Sequence, residues 1–137
     1  MTNLSFKVIT PEKVTYESEA FGVTLPTTTG YITVLPGHIP LVTTLVSGEI
    51  IVKEKDKEVF LAVSGGFVEI TGQSVAVLAD TAERAEEINI ERAEEAKRRA
   101  EEALANAKNK DDVDYTGLMV KIEKELSRLK VGKKYRR

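Results

Sequence analysis

Residues 83–104 read ERAEEINIERAEEAKRRAEEAL, and the change of period within them decides the fold. Alanines fall at 93, 96, 100, 103 and 107, a 3-4-3-4 spacing that marks one stripe of a helix. Glu, Lys and Arg fill the other faces, and i,i+4 pairs are expected at Glu94–Arg98 and Glu95–Arg99. Gly and Pro are missing from 81 to 116. Inside the stretch sits Ile88-Asn89-Ile90-Glu91-Arg92-Ala93, with a second arginine, Arg99, seven residues after Arg92.

Toward the N-terminus the pattern is that of strands. Leu4, Phe6 and Val8 share one parity and end at Pro11; Val14 and Tyr16 follow, then Phe21, Val23 and Leu25, ended by Pro26. Ile32 and Val34, residues 41–46, Ile50 and Val52, 60–63, 67–70 and 75–79 complete about nine short segments. Thr27-Thr28-Thr29-Gly30, Ser47-Gly48, Gly65-Gly66 and Thr71-Gly72-Gln73 punctuate them. Short Val/Ile/Thr-rich runs between turn residues predict an antiparallel sandwich or barrel.

Toward the C-terminus, residues 106–114 are polar and offer a turn. A second helix is expected from about Asp114 to Lys130, with a stripe of Leu118, Ile122, Leu126 (or Glu125) and Leu129. Gly117 weakens its start by roughly 1 kcal/mol relative to Ala. The two helices form a hairpin in which small alanines face larger aliphatics. Such a seam buries little, at ~0.8 kcal/mol per CH₂, so the hairpin is expected to dock weakly on the sandwich. The fold class is therefore α+β, with a sandwich domain over 1–84 and a helical hairpin over 85–137.

Bulk properties exclude several functions. At 137 residues with 42% hydrophobic content, the chain supports one modest core, and its net charge of −2 gives no global push toward nucleic acid or membrane. With no Cys and one His, the usual zinc sites and thiolate chemistry are not expected. No apolar run approaches 18 residues, and the N-terminus lacks the basic and apolar regions of a signal peptide, which points to work in the compartment that makes the chain. Charge is uneven, however. Residues 81–96 carry six glutamates against two arginines, while 118–137 carry eight Lys or Arg against two glutamates. The basic end suits an acidic protein surface better than nucleic acid, since Tyr135 is its single aromatic.

Three stretches together carry a resemblance. They are Gly30-Tyr31-Ile32-Thr33-Val34-Leu35-Pro36-Gly37-His38-Ile39-Pro40-Leu41, Ser64-Gly65-Gly66-Phe67-Val68-Glu69-Ile70, and Ala82-Glu83-Arg84-Ala85-Glu86-Glu87-Ile88 followed by the helix pair. In order and spacing the chain resembles the ε subunits of bacterial and chloroplast F-type ATP synthases over nearly its whole length. The resemblance implies a ten-stranded sandwich, a two-helix hairpin and a non-catalytic role in the rotor. It implies partners too: the γ subunit and the c-ring, through a rotor interface that includes Thr29, Tyr31 and His38, and the β (and α) subunits when the hairpin extends. In that family the extended form inhibits ATP hydrolysis, and here the basic face of Lys121, Lys124, Arg128 and Lys130 would make that contact. It places the chain peripheral to a membrane, on the cytoplasmic face of the bacterial plasma membrane or the stromal face of the thylakoid.

No catalytic constellation is expected. His38 lies in a Pro-Gly-His-Ile-Pro turn without triad partners, and Gly65-Gly66 lacks a phosphate-loop pattern, its expected role being backbone geometry that a Cβ would block. The resemblance also implies a regulatory ATP site at Glu83, Arg84, Ile88, Asn89, Arg92, Ala93 and Arg99, with Lys124 or Arg128 reaching the phosphates from the second helix. Arg92 and Arg99 share a helix face about 10.5 Å apart and suit successive phosphates. Asn89 stands where the family's ATP binders carry Asp; it keeps a capping oxygen and loses the charge. The rival readings are an adaptor module in another assembly and, less favoured, an independent ATPase, for which no phosphate loop with a metal-binding carboxylate is visible.

Overall fold

The computed structural model describes residues 3–106 and 115–135. Ala107 of the helix stripe, the rest of the turn expected up to 114, and the terminal Arg136 and Arg137 lie outside the described residues. Eight strands come first: β1 Leu4–Ile9, β2 Val14–Ala20, β3 Gly22–Thr27, β4 Gly30–Val34, β5 Leu41–Leu45, β6 Gly48–Lys53, β7 Glu58–Ile70 and β8 Ser74–Arg84. A 3₁₀ turn, Ala85–Glu87, leads to α1, Ile90–Ala105, and α2 spans Tyr115–Tyr135.

Among the described residues the strand count is eight, fewer than the ten implied by resemblance. The runs expected at 60–63 and 67–70 are one strand, β7, which crosses Gly65-Gly66 without a break. Its first half pairs with β6 and its second half with β5, while β8 pairs along both. Core-facing residues of β7 are odd before the glycines (Val59, Leu61, Val63) and even after them (Val68, Ile70). β8 changes parity at the same level, between Ala79 and Ala82. The glycines make this switch possible: both have positive φ, 72° and 121°. A Cβ on Gly66 would sit 2.1 Å from the Leu78 carbonyl oxygen, so the expectation of glycine-only geometry is met.

The sheet runs β2-β1-β8-β7-β5-β3-β4, with β6 bridging β3 and β7, so the strands fold over a common core. One pair departs from the expected antiparallel pattern. β1 and β8, the first and last strands, lie side by side and run parallel. Phe6, Leu25, Ile50, Leu61 and Ile70 are among the side chains fully buried within.

The helices differ in setting. α1 faces α2 with the small residues Ala93 and Ala100, both buried. α2 lies between α1 and the sandwich, touching β6, β7 and the 3₁₀ turn. Glu94, near the start of α1, pairs with Lys133, near the end of α2, at 3.5 Å, as antiparallel helices require. That contact displaces the expected Glu94–Arg98 pair; Arg98 instead reaches Glu102 at 3.9 Å, while Glu95–Arg99 forms at 2.5 Å. Between the two candidates for the middle of the α2 stripe, Glu125 is the buried one (3% exposed) and Leu126 faces out (47%).

Candidate functional site

The site grows from the end of β8. Glu83 pairs across the ladder with Ala62 of β7, and the two face α2. Opposite them, α2 presents Lys124 and Arg128 one helical turn apart. Thr81, Ala82, Glu83, Lys124 and Arg128 line a groove of about 270 Å³ between sandwich and hairpin.

Arg128 dominates its electrostatics. Its Nε donates to Glu83, its second terminal nitrogen reaches the other Glu83 oxygen at 3.5 Å, and the first donates to Glu125 at 2.5 Å. Burial alone would lower the Arg128 pKa, but the bonds to Glu125 and Glu83 outweigh it and hold the guanidinium above its ordinary value. Glu125 is thereby a buried carboxylate with its counter-ion three residues away on the same helix. Lys124 lines the same groove half-buried, with no carboxylate partner among the described residues. A polyanion could use Lys124 directly, whereas it would have to displace a carboxylate to use Arg128.

The nine residues expected at the nucleotide site do not converge. Glu83, Lys124 and Arg128 share the groove. Arg84 turns to a separate cleft of about 390 Å³, where it pairs with Glu86 at 2.5 Å and lies 5.4 Å from the Tyr16 ring centre. Ile88 is buried in a small cluster with Ala62, Ala85 and Val131, and Ala93 is buried in the helix seam. Arg92 is exposed, and Arg99 is held by Glu95. Asn89 is the N-cap of α1: its Oδ1 accepts from the Arg92 N–H at 3.0 Å. The position where the motif departs from the family thus has a capping job that asparagine performs as well as aspartate.

Among the expected rotor residues, Thr29 and Tyr31 flank the start of β4, whereas His38 lies in the loop beyond its end. Tyr31 stands beside the hairpin: it shares a small groove with Leu126 and Lys130, and its hydroxyl accepts from the Glu49 N–H at 3.2 Å. Of the basic face, Lys121 and Lys130 are exposed, while Lys124 and Arg128 are turned to the sandwich.

Two features escaped the sequence reading. The first is an ion pair between Lys134 and Glu49, 3.0 Å apart, with Glu49 buried on β6. The second is an apolar outer face on the sandwich. Register places Thr44, Phe67, Leu78 and Ile9 in one row across β5, β7, β8 and β1, and Val42, Glu69, Ala76 and Lys7 in the next. Val42, Phe67 and Leu78 are 68%, 57% and 49% exposed. Their signal was available, since Phe67 and Leu78 stand at outward parity in otherwise alternating strands.

Known proteins align with this architecture. Residues 3–85 match the model of the ATP synthase delta/epsilon chain beta-sandwich domain, and residues 86–133 that of its long alpha-helix domain. The ATP synthase epsilon chain of Desulforamulus reducens is 42% identical over 125 residues, covering 91% of this chain and 93% of the relative. That of Ligilactobacillus salivarius is 39% identical over 132 residues, covering 95% of both. A chain in the Euglena gracilis mitochondrial ATP synthase, a structure of its OSCP, F1 and c-ring, has the same fold. Its TM-score is 0.75 at 21% identity, over 92% of this chain and 80% of that one.

Proposed function

Because the chain belongs to the ATP synthase delta/epsilon family, as an epsilon chain, we propose that it is a non-catalytic rotor subunit whose hairpin is mobile and inhibitory. The enzyme is a proton-translocating F-type ATP synthase, and the subunit couples its catalytic ring to the c-ring through the γ subunit. The observation that carries this reading is the separation of two surfaces. The apolar face of Val42, Phe67 and Leu78 is uncovered, while the hairpin docks on β6, the first half of β7 and the 3₁₀ turn. A permanent partner such as γ can hold the first surface whether or not the hairpin leaves the second. An exposed apolar face of this kind is what a partner would cover.

In the released state, the basic residues Lys121, Lys124, Arg128 and Lys130 would meet acidic surfaces of the β (and α) subunits and block wasteful hydrolysis. The site of action is the membrane periphery, at the cytoplasmic face of the bacterial plasma membrane, in keeping with the bacterial relatives. No helix among the described residues is long and apolar enough to cross a membrane. The test is deletion of residues 88–137 in a reconstituted enzyme. Hydrolysis should rise several-fold under ATP-depleted conditions with assembly intact; unchanged hydrolysis overturns the inhibitory role. A pull-down that finds no association with γ would favour the adaptor reading instead.

A second reading, ATP as a regulatory ligand, is favoured by the groove holding Glu83, Lys124 and Arg128 between the two domains. A ligand bound there touches both domains only when the hairpin is folded. It would favour that state by RT ln(1 + [L]/Kd), ~2.7 kcal/mol at a hundredfold excess over Kd. Titration calorimetry with ATP should show saturable binding that Lys124→Gln weakens. No heat with the native chain removes the gating role and leaves the rotor role standing.

A further inference from the structure

The hairpin meets the sandwich through one short part of α2. Among the described residues, the ion pairs from α2 to the sandwich come from Arg128 and Lys134. Lys134 adds a position 4.6 Å from the Phe60 ring centre. Between them, Val131 is fully buried against Ala62, Ala85 and Ile88. Next to it, Gly132 lies so close to the interdomain turn that a Cβ would come within 3.1 Å of Ile88 Cγ2 and 3.3 Å of Ile90 Cγ1. Gly132 is out of place by helix propensity, since it weakens a helix interior that Leu or Ala would strengthen. Its place is explained by approach: without a side chain, the last turns of α2 close directly on the 88–90 segment.

We infer that residues 128–134 form a latch, with Gly132 setting the closed register, and that this turn rather than the helix–helix seam holds the hairpin down. The latch is built so that Arg128 is not left without a counter-ion when it opens, whereas Lys134 gives up its partner. Arg128 is shared between Glu83 on the sandwich and Glu125 on its own helix, 2.5 Å away. When α2 lifts, Arg128 keeps Glu125, so the helix carries a neutralised pair away. Glu83 and Glu49 are left to solvent. The hydrophobic part of the closed contact is small, Val131 being, among the described residues, its one fully buried side chain from α2. A latch of this make-up is specific in register and modest in strength.

The consequence for hydrolysis rests on the mobile-hairpin reading above; the latch itself is a property of the isolated full chain. The chain has no cysteine, so spin labels at Lys55→Cys, on the tip between β6 and β7, and Glu123→Cys, on the exposed side of α2, report docking by pulsed dipolar spectroscopy. The parent should give one short distance. Gly132→Leu should lower the closed-to-open ratio about tenfold through overpacking, although leucine is the better helix former. Far-UV circular dichroism should show the helices retained. Adding Ile88→Ala, which makes room for the new side chain, should restore much of the closed population. Lys134→Gln should shift the same ratio about threefold, since glutamine can still donate to the buried Glu49, and high salt should shift the parent in the same direction through the partly exposed lysine. An unchanged distance distribution in Gly132→Leu overturns the latch, and so does an opening that Ile88→Ala fails to reverse. Opening without any change in hydrolysis by the reconstituted enzyme would leave the latch standing and remove the inhibitory reading.

Discussion

The sandwich and the hairpin are stabilised by different means. The sandwich fully buries Phe6, Leu25, Ile50, Leu61 and Ile70, and its strands are joined into one hydrogen-bonded sheet. Among its described apolar residues the hairpin buries two alanines of α1 and Leu129 and Val131 of α2, and it fastens itself with Arg128 and Lys134. Burial of a large aliphatic or aromatic side chain contributes roughly 1.5–3 kcal/mol, an alanine methyl far less. A partly exposed ion pair contributes roughly 0–1 kcal/mol. One region is therefore a rigid body and the other a part that the same protein can let go. A subunit that must hold a rotor partner and also move an arm needs both kinds of region.

Each side of the comparison can be attacked separately, and the sizes should differ. The largest effect belongs to Gly66→Ala. Its Cβ would meet backbone of β8 at a φ of 121°, so the β7–β8 ribbon cannot change layers. A cost of about 4 kcal/mol or more is expected, with a fall of order 20 °C in the thermal midpoint of the sandwich signal. A midpoint within a few degrees of the parent would show that the glycine switch is not needed. Arg128→Met comes second. It leaves Glu125 buried without its cation, at about 1–3 kcal/mol, and that loss should appear in the hairpin alone. Helix protection should fall while the sandwich midpoint hardly moves. A matching fall in both would mean that the two regions unfold as one unit.

The sequence was a good guide wherever structure follows local period. Strand positions, the glycine pair, the junction after β8 and the Ala93–Ala100 part of the alanine seam all come from neighbours within a few residues, although Ala103 of the expected stripe is exposed. It was a poor guide where partners are distant. Glu83 and Arg128 are 45 residues apart and Glu49 and Lys134 are 85 apart, so no window contains either pair. α2 shows the same limit from within. Because it packs on α1 by one face and on the sandwich by another, its stripe is wide. A buried Glu125 beside an exposed Leu126 cannot then be told from the reverse by hydrophobicity. The candidate nucleotide residues were legible as a motif, but the motif could not say which of them are spent on capping, seam packing or internal pairs. Three of the nine share the groove.

The central claim, a rigid sandwich with a separately released hairpin, is tested most directly by native-state hydrogen exchange across a denaturant series. Amides of β7 and β8 should exchange through global unfolding, with free energies that fall steeply with denaturant. Amides of α2 should exchange through a smaller opening, several kcal/mol lower and nearly independent of denaturant at low concentrations. If α2 and the β7–β8 ladder merge on one isotherm from the lowest denaturant upward, the hairpin is part of a single cooperative unit, and the account of a releasable arm is wrong.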